Sequence, residues 1–294
     1  MELSMSGANT LLVTPFDADW ELDLPSLTSL TEYVLAGGVH GVIALGSAGE
    51  FFALSTQERV QVMKHVVQTV DGRVPVTVGI GADSTANAIE LGLQAQAAGA
   101  DCVLVVPPMY FDQSPEAQVI HFTAILNALD IPAMLYDGAG GVSITPDTIA
   151  RVAAQAPNAQ YVKVATPDPQ RSAEILKAAP TVTPFAGDDM LLLAALRNGA
   201  LGSATAIGNL EPKTLSDLHT AHLEGDLKRA TALYAQLAPA IMATSAPKVE
   251  FIVRIKAILA AAGVIATDRV RSPLHGLDQE ARDELLAVVR SVAA

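Results

Sequence analysis

Lys163 stands in the run Tyr161-Val162-Lys163-Val164-Ala165-Thr166, a single cation among apolar, β-prone neighbours. A strand of that composition is buried, and lysine is almost never fully buried without a partner. Burial of such a side chain disfavours the ammonium relative to the free amine. An amine freed in this way attacks a carbonyl, which is how a Schiff-base lysine arises. The competing reading is a lysine that snorkels to a strand end and pairs with a carboxylate. A second apolar run, Ile131-Pro132-Ala133-Met134-Leu135-Tyr136-Asp137-Gly138, carries Tyr136, whose phenol could pass protons to and from the nitrogen and carbon atoms of such an adduct.

Positioning these two side chains requires a frame, and the chain reads as eight strand-to-helix units. The expected strands begin at Asn9 (to Phe16), Gly41 (to Leu45), Val74 (to Gly79), Cys102 (to Val106), Ile131, Tyr161, Thr183 and Leu201 (to Ile207), each bounded by Gly or Pro and followed by a helical pattern. Ser55-x-x-Glu58 is a capping box, Asp83 or Ser84 caps the third helix, and Thr145-Pro146 supplies cap and first position of the fifth. Such alternation predicts an α/β fold, a (β/α)8 TIM barrel with a C-terminal helical extension. A doubly wound open sheet is the runner-up, but no G-x-G-x-x-G follows the first strand. The expected division is a catalytic barrel over 1–225 and a helical bundle packed on it over 226–294, with helices from Asp226 to Ala243, Val249 to Ala262 and Asp278 to Ala293.

Half of the 294 residues are hydrophobic and 17% are charged, which excludes disorder and suits a large buried core. A formal charge of −13 argues against a nucleic-acid surface or an anionic membrane as partner. The apolar stretch from Ala257 to Ala266 is too short to span a bilayer, and Met1-Glu2-Leu3-Ser4 carries no basic, signal-type segment, so a cytoplasmic location is expected. Cys102, the one cysteine, lies in an apolar run and reads as a packed thiol.

In a barrel the site is built at the carboxyl ends of the strands. There the sequence collects Gly46-Ser47-Ala48-Gly49-Glu50, Tyr110, Tyr136, Lys163, Gly187-Asp188-Asp189 and Ala204-Thr205. The glycine loop presents N–H groups and a hydroxyl to an anionic group, and Glu50 ties that loop down rather than acting as a base. Asp188 and Asp189 read as the start of a helix rather than as metal ligands. His219 and His222 lack a third ligand and read as surface residues.

The set Leu12-Val13-Thr14-Pro15-Phe16, Gly46-Ser47-Ala48-Gly49-Glu50, Pro107-Pro108-Met109-Tyr110, Tyr136, Lys163, Gly187-Asp188-Asp189 and Arg271-Ser272-Pro273-Leu274 resembles the dihydrodipicolinate synthase / N-acetylneuraminate lyase family of Schiff-base-forming class I aldolases. The resemblance covers nearly the whole chain. It implies Lys163 as the imine-forming lysine, Tyr136 as proton shuttle, and Ser47 as carboxylate ligand and relay. It implies that Tyr110 reaches a neighbouring subunit's site, that Ala48 and the backbone at Ala204 hold the keto-acid end, and that Gly187 and Thr205 belong to the substrate-binding set. A homotetramer built as a dimer of dimers, a 2-oxo acid such as pyruvate as substrate, and no metal or organic cofactor are likewise implied.

Three departures from the family pattern bear on the second substrate. Where the synthases read Asn-x-Pro-x-Arg-Thr after the tyrosine, this chain reads Asp137-Gly138-Ala139-Gly140-Gly141, so the arginine that would hold the carboxylate of aspartate semialdehyde is missing. Ala48 replaces a threonine, and Val164-Ala165-Thr166-Pro167 follows the lysine. The expected activity is therefore a 2-keto-3-deoxy-acid type aldolase or dehydratase. Alternatives are 4-hydroxy-tetrahydrodipicolinate synthase, a catalytically degenerate keto-acid-binding barrel, and a phosphate-binding barrel using the Gly199 to Gly208 segment.

Overall fold

The computed structural model describes residues 5–111, 113–245 and 250–293. Eight parallel strands, β1 Gly7–Leu11, β2 Gly41–Ala44, β3 Val76–Gly79, β4 Cys102–Val105, β5 Ala133–Asp137, β6 Ala159–Val164, β7 Thr183–Ala186 and β8 Gly202–Thr205, close into one barrel in sequence order. Nearly every strand residue is buried, as expected where side chains alternate between a filled interior and a ring of covering helices. The register places Tyr136 beside Lys163 and Lys163 beside Phe185.

The covering helices are α1 Leu24–Ala36, α2 Thr56–Val70, α3 Thr85–Ala98, α4 Pro115–Leu126, α5 Pro146–Gln155, α6 Arg171–Ala178, α7 Leu192–Arg197 and α8 Pro212–Leu223. Their starts follow local chemistry. Ser55 and Glu58 form the reciprocal capping box of α2, and Ser84 caps α3 through the Asn87 N–H. Asp83 is used differently: its Oδ1 accepts from the Met109 and Tyr110 N–H groups and fixes the loop after β4.

The first strand ends at Leu11 rather than Phe16. Leu12 still donates to Ile43 O, but the Val13 N–H turns to Asn209 Oδ1, Thr14 donates its hydroxyl to Gly49 O, and Pro15 has no N–H to offer. The segment after Leu11 thus leaves the ladder to tie the β2 and β8 loops together. Asp188 and Asp189 also precede α7 instead of opening it, with Asp188 Oδ1 accepting from the Met190 N–H.

Three further helices follow, α9 Leu227–Thr244, α10 Glu250–Ala261 and α11 Gln279–Ala293. The expected start of α10 at Val249 lies outside the described residues. Leu237 and Ile241 of α9 and Ile255 and Leu259 of α10 share one hydrophobic core with the barrel, whereas Leu285 of α11 packs in a small separate cluster with Ala243, Ala257 and Ile258. Among the described residues no helix is long and apolar enough to cross a membrane.

His219 corrects the surface assignment. It is fully buried on the inner face of α8, where Nε2 meets Ser203 Oγ at 2.8 Å and burial, with lesser repulsion from His40 and His222, pushes its pKa down to about 3. His222 is half-buried. Cys102 is fully buried, and desolvation pushes its thiol up to about 12, consistent with a packed side chain.

Candidate active site

Lys163 and Tyr136 meet at the carboxyl end of the barrel. Lys163 is 3% exposed and Tyr136 8%, and Nζ lies 4.1 Å from the centroid of the tyrosine ring. An ammonium over a ring face is held by the ring quadrupole, so this contact orients the amine as well as covering it. Gly187 makes room for the lysine stem: a Cβ there would lie 2.8 Å from Lys163 Cγ and 2.8 Å from Val164 O. That explains why glycine follows β7.

Both side chains open onto a cavity of about 600 Å³. Ser47 and Ala48 enter it from the 3₁₀ turn Ser47–Gly49 after β2, and Gly187 and Thr205 enter from the ends of β7 and β8. Ala204 lies in the barrel wall paired with Asn9, and Thr205 and Ala206 are the residues of that strand end that reach the cavity. Tyr110 is not brought to the cavity by its own chain. It is 80% exposed and packs edge-on against Phe111, itself 69% exposed, with ring centroids 4.6 Å apart.

The Gly46 to Glu50 loop is bracketed by two left-handed non-glycine residues, Leu45 at φ 59° and Glu50 at φ 54°. Each costs about 1–2 kcal/mol, so the surrounding contacts must hold the loop in place. Glu50 supplies them. Its fully buried carboxylate accepts from Lys256 Nζ at one oxygen and from the Arg271 N–H at the other, 3.0 Å away. Lys256 also donates to Arg269 O and lies over the Phe16 ring at 4.2 Å. Burial lowers the Lys256 pKa to about 8 even with the Glu50 charge opposing it. Lys256, in the middle of an apolar helix, is a structural residue that spacing alone does not reveal.

Two carboxylates also line the cavity, Asp188 and Asp189. Asp189 Oδ1 is shut off from solvent, and burial raises this carboxyl to about 6; the Thr205 hydroxyl and Ile207 N–H nearby and the Lys163 charge lower it less than burial lifts it. Among the described residues, Lys163 is the only basic side chain on the cavity wall. Ile241, Thr244, Phe251 and Ile255 of α9 and α10 form part of that wall as well, a contribution invisible in the amphipathic pattern of either helix.

The loop after Tyr136 brings Gly140 and Gly141 to the same cavity. Gly138, Gly140 and Gly141 all have positive φ, and a Cβ on Gly138 would lie 2.8 Å from Ala165 O. The buried Asp137 pins the base of this loop by accepting from Ser143 Oγ and the Ile144 N–H. Burial raises the Asp137 pKa, with Ile144, Arg171 and Ser143 drawing it back. Arg171 approaches Asp137 to 3.5 Å and also contacts Ser143 and Glu174. Arg171 is thereby committed to the loop and is not on the cavity wall.

Lys163 and Tyr136 thus stand side by side at the carboxyl end of a closed, parallel eight-stranded barrel. Residues 4–292 match the dihydrodipicolinate synthetase family model. The 4-hydroxy-tetrahydrodipicolinate synthase of Pseudomonas syringae pv. syringae (strain B728a) is 34% identical over 292 residues, which cover 97% of this chain and 98% of that protein. YagE of Escherichia coli K12, a prophage protein of the dihydrodipicolinic acid synthase family solved in complex with pyruvate, superposes with a TM-score of 0.92 at 28% identity, with 98% of each chain covered. The chloride-inhibited dihydrodipicolinate synthase of Acinetobacter baumannii, complexed with pyruvate, superposes with a TM-score of 0.92 at 29% identity over 99% of each chain. The chain belongs to the dihydrodipicolinate synthetase family and is a lyase of its class I, Schiff-base-forming kind.

Proposed function

We propose that the protein makes or breaks the C3–C4 bond of a 2-keto-3-deoxy acid, or dehydrates one, through an imine on Lys163. The observation that carries this reading is the buried Lys163 amine over the Tyr136 ring in a cavity whose described wall offers no second cation. Lys163 Nζ adds to the C2 carbonyl and water leaves, giving an iminium. In the cleavage direction Tyr136, left as a phenolate after protonating the departing water, takes the proton of the C4 hydroxyl, the C3–C4 electron pair flows into the iminium, and an aldehyde departs. The enamine left behind takes a proton at C3, and hydrolysis releases pyruvate and the free amine.

Ser47 and the N–H of Ala48 bind the substrate carboxylate, with Gly187 and Thr205 completing the keto-acid end. No metal or organic cofactor enters this chemistry. Two carboxylates and, among the described residues, no arginine or second lysine on the cavity wall favour a neutral, hydroxylated aldehyde, because a second anionic group would stand against Asp188 and Asp189 with no described cation beside it. Tyr110 acts in a neighbouring subunit's site within a homotetramer, a role that its 80% exposure supports.

A second reading, 4-hydroxy-tetrahydrodipicolinate synthase, is favoured by the name of the relative at 34% identity. One experiment addresses both. Incubation with pyruvate and sodium borohydride is expected to add a pyruvate-derived mass to the protein and none to Lys163→Ala. A steady-state screen is then expected to show turnover with hydroxylated aldehydes or 2-keto-3-deoxy acids. Efficient turnover of pyruvate with aspartate semialdehyde would select the second reading, and no adduct with any 2-oxo acid would point to a degenerate barrel.

A further inference from the structure

A second cavity, about 1010 Å³, shares no lining residue with the Lys163 cavity. It lies between the turn that holds Trp20 and the segment from 266 to 277. Arg269, Arg271, Arg282 and His275 line it against a single carboxylate, Asp268, in a chain whose formal charge is −13. A local excess of cations on an acidic protein raises the concentration of anions there.

The arginines are not equivalent. Arg271 is occupied by Glu58 at 2.7 Å and by the Trp20 carbonyl at 2.8 Å, and Arg282 holds Asp268 at 2.8 Å. Arg269 has no carboxylate partner among the described residues. Its guanidinium carbon sits 4.2 Å from the centroid of the Trp20 ring. Stacking uses the face of a guanidinium and leaves its in-plane N–H fork free for an oxyanion.

Trp20 itself is an anomaly. It is 46% exposed and adopts φ 62°, a conformation that glycine enters freely and that strains a large L-residue. The turn is held by Asp17 Oδ1, which accepts from the Asp19 and Glu21 N–H groups. Strain of this kind collects where a side chain is displayed for binding.

We propose that this cleft binds a small oxyanion, a carboxylate or phosphate group on a metabolite-sized molecule, with Arg269 as its bidentate anchor and the Trp20 indole as the wall for the rest of the ligand. Occupancy has a short route to the active site. The Arg271 N–H and Lys256, which also binds Arg269 O, both hold Glu50, and the Glu50 N–H donates to Ser47 O at 3.1 Å.

Trp20 is the only tryptophan of the chain, so tryptophan fluorescence reads this cleft alone. The intact protein is titrated with inorganic phosphate and, separately, with citrate, each against sodium chloride at matched ionic strength. A saturable change with phosphate or citrate that sodium chloride does not reproduce is expected, and the effective probe identifies the anion class. Arg269→Gln should weaken it at least about tenfold, the loss of one charge-assisted pair. If Arg269→Gln does not fold, Arg269→Lys, which keeps the charge and loses the fork, should still weaken it. No saturable change with either probe, or equal affinity in a folded Arg269 variant, would overturn the proposal.

Discussion

Glu50 and Lys256, 206 residues apart in the chain, form a fully buried ion pair that fastens the Ser47 loop to helix α10. The loop is strained at both ends, so its position depends on this contact and on the Arg271 N–H beside it. The helical extension is consequently part of the site, since the same helix sends Phe251 and Ile255 to the cavity wall.

Removing one partner of that pair leaves a charge buried alone. Lys256→Met or Glu50→Gln is expected to lower stability by about 3–5 kcal/mol, read from urea denaturation midpoints. The double variant should recover part of the loss, because no lone charge remains. Single variants that unfold at the wild-type midpoint would show that the pair does not hold the loop.

Gly187→Ala places a methyl group 2.8 Å from Lys163 Cγ. The lysine stem must move off the Tyr136 face, with an overpacking cost of about 1–3 kcal/mol. The expected outcome is a folded protein whose pyruvate imine, trapped by borohydride, forms at least about a hundredfold more slowly, the effect of a misplaced reacting group. Imine formation at the wild-type rate would remove Gly187 from its positioning role.

Arg171→Ala loosens the glycine loop without touching Lys163, because Arg171 contacts Asp137, Ser143 and Glu174. KM for the acceptor aldehyde is expected to rise several-fold while the trapping rate with pyruvate stays unchanged. A parallel fall in trapping would mean that the loop governs the imine as well.

His219 gives a pH dependence of stability. Its folded pKa of about 3 lies below the ordinary 6.5, so between those values the unfolded chain binds more protons. Stability present above pH 6.5 is lost as pH falls toward 3, by up to about 1.4 kcal/mol per pH unit from this group. In chemical denaturation at pH 7, 6 and 5, His219→Gln should show a shallower decline than the wild type. Parallel profiles would show that His219 does not titrate on unfolding.

Replacing Asp188 and Asp189 together by Asn tests the charge at the acceptor end. The variant is expected to accept aspartate semialdehyde better relative to a neutral hydroxyaldehyde, measured as the ratio of kcat/KM values. An unchanged or opposite ratio would show that these carboxylates do not select the acceptor.

The frame and the reacting pair are legible in the sequence because they depend on local signals. Apolar β-prone runs closed by Gly or Pro, followed by capped helical patterns, repeat eight times, and a lysine or tyrosine inside such a run is conspicuous against its neighbours. The first strand is misread at its end because Val13 and Thr14 satisfy their hydrogen bonds with Asn209 and Gly49, partners distant in sequence. His219 is misread because a helical histidine carries no mark of which face is buried, and Ser203, which receives it, belongs to another element.

By itself the sequence determined eight strand-to-helix units and the expectation of a barrel with Lys163, Tyr136 and the Ser47 loop at one rim, since periodicity and turn chemistry act over a few residues. Only the tertiary structure decided that Lys256 and Glu50 are partners, that Arg171 is spent on Asp137, that Asp189 Oδ1 is shut away from solvent, and that Arg269 stacks on Trp20 beside a second cleft. Those relations arise from desolvation and charge pairing between distant segments, and such energies exist only once the chain has folded and brought the groups together.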